Sequence, residues 1–189
     1  MAADQAGFPT VKAKVAPIRR IVTGHDARGT AIIVSDEICP HADPILGQEY
    51  LATTEMWITS VPADNALPGD PVTLPHRVPP PENGATFRVV EFPPDKVFRH
   101  TLRADQNLVQ PETPGSGNPL LHRTRSTDFV VVMAGEIWCV MDEGEVLMRA
   151  GDIMVQRGTN HDWQNRGEEP ARVAFALIDA HPLERSTTG

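Results

Sequence analysis

The sequence predicts an all-β protein, a sandwich or barrel built from short strands. Three observations lead there. No long stretch carries sustained helical periodicity; the apolar residues alternate or fall in short β-branched runs bounded by Gly, Pro, Asn or Asp. These runs recur at short, regular spacing, the pattern of a sandwich or barrel. The chain also holds 18 prolines, most of them between Val61 and Pro119. Proline removes a backbone donor and fixes φ, so that middle region is neither mainly helix nor central strand.

Strands are predicted near 18–23, 31–35, 55–60, 86–92, 120–124, 128–133, 136–141, 145–149, 152–156, 161–165 and 172–178. His25-Asp26-Ala27-Arg28-Gly29 reads as a hairpin turn between the first two, and Met141-Asp142-Glu143-Gly144 as a second. The stretch 62–84 is turn-rich, with Pro79-Pro80-Pro81 extended. The stretch 93–119 shows no clear element, and a bare loop of that length suggests a lid or an arm that clasps a second copy. There is no internal repeat. One structural domain is expected: residues 1–85 as strands and Pro-rich loops that extend a barrel, 86–180 as the barrel, and 181–189 as a tail.

Composition narrows the function. At 189 residues the chain is long enough for a real core. A net charge of −8 argues against a nucleic-acid partner, which calls for a basic face. No stretch approaches the ~18 apolar residues of a membrane span. Met1 to Lys14 lacks the apolar segment of a secretory signal, so a cytoplasmic protein is expected. Cys39 and Cys139 are then free thiols, and Cys139 in its apolar setting is a buried hydrophobe. No phosphate loop, dinucleotide fingerprint or G-x-S-x-G elbow is present.

Two stretches carry the candidate chemistry: Leu121-His-Arg-Thr-Arg-Ser-Thr-Asp-Phe-Val-Val-Val-Met-Ala-Gly135 and Gly151-Asp-Ile-Met-Val-Gln-Arg-Gly-Thr-Asn-His-Asp-Trp-Gln-Asn165. Residues two apart share a strand face, so His122, Thr124, Ser126 and Asp128 point one way if their strand is continuous. His161, Trp163 and Asn165 do the same on a later strand. Two imidazoles and a carboxylate suit a divalent metal with open positions, Fe(II) first, with Mn, Ni or Zn also possible. Arg123 and Arg125 have the opposite parity and should face outward. Arg88 is a candidate for binding a substrate carboxylate. His100, in the long loop, is a candidate acid/base or fourth ligand if that loop folds over the barrel mouth. Asn165 reads as a structural residue that bonds backbone at a strand end.

These stretches resemble the paired motifs of the cupin superfamily. The first motif there runs HxH, three or four residues, Glu, six residues, Gly; here it is His122-x-Thr124, Asp128 and Gly135. The second runs Gly, five residues, PxG, two residues, His, three residues, Asn; here it is Gly151, four residues, Gln156-x-Gly158, His161 and Asn165. The resemblance implies a cupin-type barrel (a double-stranded β-helix, or jelly roll) with additional N-terminal strands, and a homodimer. Carried over residue by residue, it implies the metal ligands His122, Asp128 and His161. Thr124 replaces the second His, and Asp128 replaces Glu.

The expectation is a metal-dependent small-molecule enzyme: a decarboxylase, isomerase or dioxygenase-like cupin acting on a small oxygen-rich or carboxylate substrate. The alternative is a metal-free cupin that holds an aromatic or apolar metabolite without turnover. Thr124, Ser126, Trp57, Trp138 and Trp163 are the expected pocket residues in either case.

Overall fold

The computed structural model describes residues 11–102 and 118–182. Among them run eleven strands: β1 (Arg19–His25), β2 (Ala31–Ile38), β3 (Ala42–Ile45), β4 (Gln48–Ser60), β5 (Gly84–Phe92), β6 (Ser126–Ala134), β7 (Glu136–Met141), β8 (Glu145–Arg149), β9 (Ile153–Arg157), β10 (His161–Gln164) and β11 (Ala171–Asp179). A four-residue helix, α1 (Asp95–Phe98), and a 3₁₀ turn, Arg99–Thr101, follow β5. The all-β expectation holds.

A six-stranded sheet, in the order β3-β4-β5-β11-β6-β9, is one wall of the barrel. A three-stranded sheet, β10-β7-β8, is the other, and β1-β2 form a separate hairpin. The described pairings are antiparallel. β6 shows why the sequence folds this way. Its alternate residues Ser126, Asp128, Val130 and Val132 are buried, while Phe129, Val131 and Met133 face outward. Burying each valine stabilises the fold by about 1.5–3 kcal/mol. The core joins Val130 and Val132 to Ile137, Cys139, Met148, Val173, Phe175 and Leu177 across both sheets.

The turn from β6 to β7 depends on Gly135. Its φ is +72°, and a Cβ there would lie 2.8 Å from the Pro170 carbonyl oxygen and 3.0 Å from the Ala171 Cα. Only glycine fits this corner. At the turn expected between β1 and β2, the Asp26 amide donates to the Thr30 carbonyl at 2.9 Å.

Three expectations need correction. Residues 120–124 do not form a strand; His122 makes a single antiparallel bridge to His161. β3 was not foreseen, because Asp43 and Pro44 in Ala-Asp-Pro-Ile read as turn residues. β4 starts well before residue 55, and β3 and β4 belong to the same sheet as the motif strands. The long loop 93–119 begins with α1 and the 3₁₀ turn; its residues 103–117 lie outside those described.

Candidate functional site

A cavity of about 170 Å³ lies inside the barrel. That is close to the ~150 Å³ of an engineered apolar cavity that holds benzene, so there is room for one small ring. Its walls are mostly aliphatic and aromatic: Ile45, Leu46, Leu51, Val78, Val90, Phe92, Phe98, Leu120, Trp163, Phe175 and Leu177. The polar lining residues are Thr53, His76, Arg88, His122, Thr124, Asp128, Gln156, His161 and Asp162.

The main-chain bridge between residues 122 and 161 places the two imidazoles side by side, with ring centroids 4.3 Å apart. His122 Nδ1 is 2.8 Å from the Leu120 carbonyl, and His161 Nδ1 is 2.9 Å from the Thr159 carbonyl. A carbonyl can only accept, so each Nδ1 carries the proton and each Nε2 keeps its lone pair. Neither Nε2 has a hydrogen-bond partner among the described residues. Burial lowers the pKa of both rings; for His161, with repulsion from His122 added, it falls to about 3. Both rings are therefore neutral at physiological pH. Trp163 stands edge-on between His161 (6.1 Å) and Phe175 (5.4 Å).

Asp162 sits beside this pair with its carboxylate fully engaged. Arg99 donates at 2.8 Å, Asn118 at 2.9 Å and Gln164 at 2.8 Å. The Arg99 guanidinium also reaches the Trp163 carbonyl at 2.6 Å. The loop after β5 is thereby tied to β10.

Elsewhere in the cavity, Asp128 on β6 faces Gln156 on β9 as a direct cross-strand pair. Asp128 is 3% and Gln156 2% exposed. Asp128 Oδ1 and both amide atoms of Gln156 have no hydrogen-bond partner among the described residues. A buried polar group left in this state costs about 1–3 kcal/mol. Burial pushes the Asp128 carboxyl up; Ser126 and the charge of Arg88 oppose the shift without cancelling it. Arg88 is itself engaged: its Nη2 donates to the Arg77 carbonyl at 2.7 Å, and its Nε lies 3.2 Å from Glu55 Oε1.

A third imidazole enters from the Pro-rich loop. The His76 side chain is 6% exposed, and its Nδ1 lies 2.6 Å from Asp43 Oδ2. The His76 backbone amide donates to the same oxygen at 2.8 Å. Burial acts to raise the Asp43 pKa, but these bonds outweigh it and hold the carboxyl below its usual range. No spacing in the sequence pointed to His76 or Asp43; the cis-linked, proline-rich loop that brings them together has no periodic signature.

Most of the expected site residues meet. His122, His161, Asp128, Thr124 and Trp163 all line the cavity. Ser126 is buried behind it and hydrogen-bonds Thr124 at 2.7 Å. Trp57 and Trp138 are not among the lining residues. Trp57 lies at a bulge in β4, and Trp138 faces away from the core under the Arg166 guanidinium, 4.6 Å from its ring. Parity explains Trp138, because its neighbours Ile137 and Cys139 take the inward positions of β7. His100 is exposed on the 3₁₀ turn; of the described residues 93–102 it is Phe98 that lines the cavity. Arg123 and Arg125 face outward as expected. Asn165 is structural: its amide donates to the Phe92 and Glu169 carbonyls. The Cys139 thiol is pushed up to about 12 by burial and by Asp162, which leaves it unreactive.

A metal ion is the cofactor the motifs imply. Two neutral imidazoles with ring centroids 4.3 Å apart are of the ligand type that suits a divalent-ion site. The expected third ligand does not complete it, since no three His, Cys, Asp or Glu side chains come together in metal-binding geometry among the described residues.

Comparison with known proteins decides the family. A family model described as "Cupin domain" matches residues 107–178. Phomopsin biosynthesis cluster protein C' of Diaporthe leptostromiformis is 32% identical over 174 residues, covering 87% of this chain and 80% of that protein. The chain belongs to the cupin superfamily. This cupin is also 28% identical to the cupin-domain-containing oxidoreductase virC of Hypocrea virens, over 87% of this chain and 77% of that one. The cupin domain of Schizosaccharomyces pombe Cnp3 aligns at a TM-score of 0.44 and 12% identity, over 85% and 87% of the two chains. No helix among the described residues is long and apolar enough to cross a membrane.

Proposed function

We propose that this cupin is a metal-dependent enzyme of small-molecule biosynthesis that transforms a ring-sized, oxygen-bearing substrate inside the barrel. The single observation that carries this reading is the His122–His161 pair. Two neutral imidazoles, His161 buried and His122 half-buried, each held through Nδ1 and without a described partner at Nε2, stand in a mostly apolar chamber. A divalent cation is the group that satisfies both lone pairs at once. Relatives named as cupin-domain-containing oxidoreductases, and others named as biosynthesis cluster proteins, support the enzymatic reading.

His122 and His161 would hold the ion, which when bound supplies Lewis acidity and, if it is Fe(II), oxygen chemistry. The chain does the rest. The Leu120 and Thr159 carbonyls keep both rings in the ligating tautomer, as outer-shell acceptors do around a metal. Phe98, Trp163 and Phe175 give the chamber an aromatic wall for a substrate ring to pack against. The reading also includes a homodimer, supported by exposed apolar residues on the β1-β2 hairpin (Ile21, Ile32, Ile33) and on the outer sheet face (Phe129, Ile153, Val155).

The test is elemental analysis of protein purified without chelator, beside a His161→Ala control. Near one equivalent of Fe, Mn, Ni or Zn, lost in the control, is the expected result. In parallel, deleting the gene in its host should make a precursor accumulate that the wild-type gene clears and the His122→Ala and His161→Ala alleles do not. Absence of metal after soaking, together with rescue by both alleles, would overturn the proposal.

A further inference from the structure

The family pattern puts a metal ligand at position 128, and the structure gives that residue a different neighbour. Asp128 and Gln156 are cross-strand partners on β6 and β9, both lining the cavity and both at least nine-tenths buried. Between them they present three polar atoms with no partner: Asp128 Oδ1, Gln156 Oε1 and Gln156 Nε2. Folding leaves buried polar atoms in this state only rarely. Turning the Gln156 amide over changes nothing, since both of its ends are bare.

We infer that Asp128 and Gln156 form a hydrogen-bonding seat for the substrate, built for a neutral edge that carries a donor beside an acceptor. A lactam, a primary amide or an enolised carbonyl on a single ring has such an edge. Gln156 Nε2 donates to the ligand's carbonyl oxygen. Gln156 Oε1 and Asp128 Oδ1 accept from its N–H or O–H. A carboxylate fits poorly: it offers no donor, and the nearby Arg88 already pairs its charge with Glu55 and donates from its two Nη atoms to the Val78 and Arg77 carbonyls, its Nε alone lacking a hydrogen bond. The seat thus names the substrate class for the proposed enzyme and rests on that reading for its purpose. The hydrogen bonds themselves need neither the metal nor the histidine pair.

The test is binding of 2-pyridone and N-methyl-2-pyridone to the full chain in buffer with EDTA, followed by NMR titration. Both rings match the cavity, but the second lacks the donor. Wild type should bind 2-pyridone at least about tenfold more tightly, the loss expected for one buried hydrogen bond left unmade. Gln156→Met should reduce that preference to within about twofold, with Asp128→Asn as a second folded variant that weakens it. Equal binding of the two probes, no binding of either, or a preference that survives Gln156→Met would overturn the seat. His161→Ala separates the two proposals. A preference retained there upholds the seat whatever becomes of the metal, and a metal found in wild type upholds the enzyme reading even where the pyridones fail to discriminate.

Discussion

Two buried aspartates line one cavity and are treated in opposite ways. Asp162, on β10, is 1% exposed and receives hydrogen bonds from Arg99, Asn118 and Gln164. Asp128, on β6, is 3% exposed and has one oxygen bare, opposite a glutamine that is bare at both ends. The first carboxylate holds the fold together, because it ties the loop after β5 to the histidine strand. The second contributes no such tie. Burial alone therefore does not separate structural from functional groups; the hydrogen-bond inventory does.

The sharpest way to break this comparison is to remove each carboxylate. Asp162→Ala should cost about 3 kcal/mol in urea unfolding, because it removes the carboxylate that accepts from Arg99, Asn118 and Gln164 in a buried setting. A loss below about 1 kcal/mol would make Asp162 as dispensable as Asp128.

Acid should act next, through the histidine wall. Folded His161 stays neutral down to about pH 3, whereas an unfolded imidazole takes up a proton near 6.5. Its contribution to stability is thus complete above pH 6.5 and is lost as pH falls from there toward 3. His161→Gln should flatten the melting temperature against pH in that window, and an unchanged slope would contradict the buried neutral pair.

At the seat the effect on stability should be small and of opposite sign. The Asp128 carboxyl is raised when folded, so its contribution diminishes as pH rises through its folded pKa. Asp128→Asn should be within about 1 kcal/mol of wild type, gaining on it toward neutral pH, in denaturant titrations at several pH values. Smallest of all, Arg166→Ala removes a cation over the outer face of Trp138 and should cost about 0.5–1 kcal/mol without altering ligand binding in the cavity.

Much of the barrel was legible. The alternation in Ser-Thr-Asp-Phe-Val-Val-Val-Met-Ala marks β6 and assigns Asp128 and Val130 to the inside. The spacing of His122 and His161 pointed to a shared site, and they meet in one. Trp138 was misassigned because a tryptophan near a motif reads as a pocket wall, while the parity of Ile137 and Cys139 on the same strand already turned it outward. His100 was close, two residues from the Phe98 that does enter the cavity. Gln156 stood inside the second motif, but a glutamine carries no spacing signal of its own.

What the sequence determined by itself was the set of strands and the side on which each residue lies, because the pleat alternates side chains whatever the strand pairs with. The tertiary structure decided which polar groups find partners. Asp43 reaches His76 across a proline-rich loop, Asp162 collects donors from Arg99 and Asn118 as well as from Gln164 on its own strand, and Asp128 faces Gln156 with one oxygen left without a described partner. Hydrogen bonds between residues far apart in the chain depend on distances of a few tenths of an ångström, and only the assembled sheets set those distances.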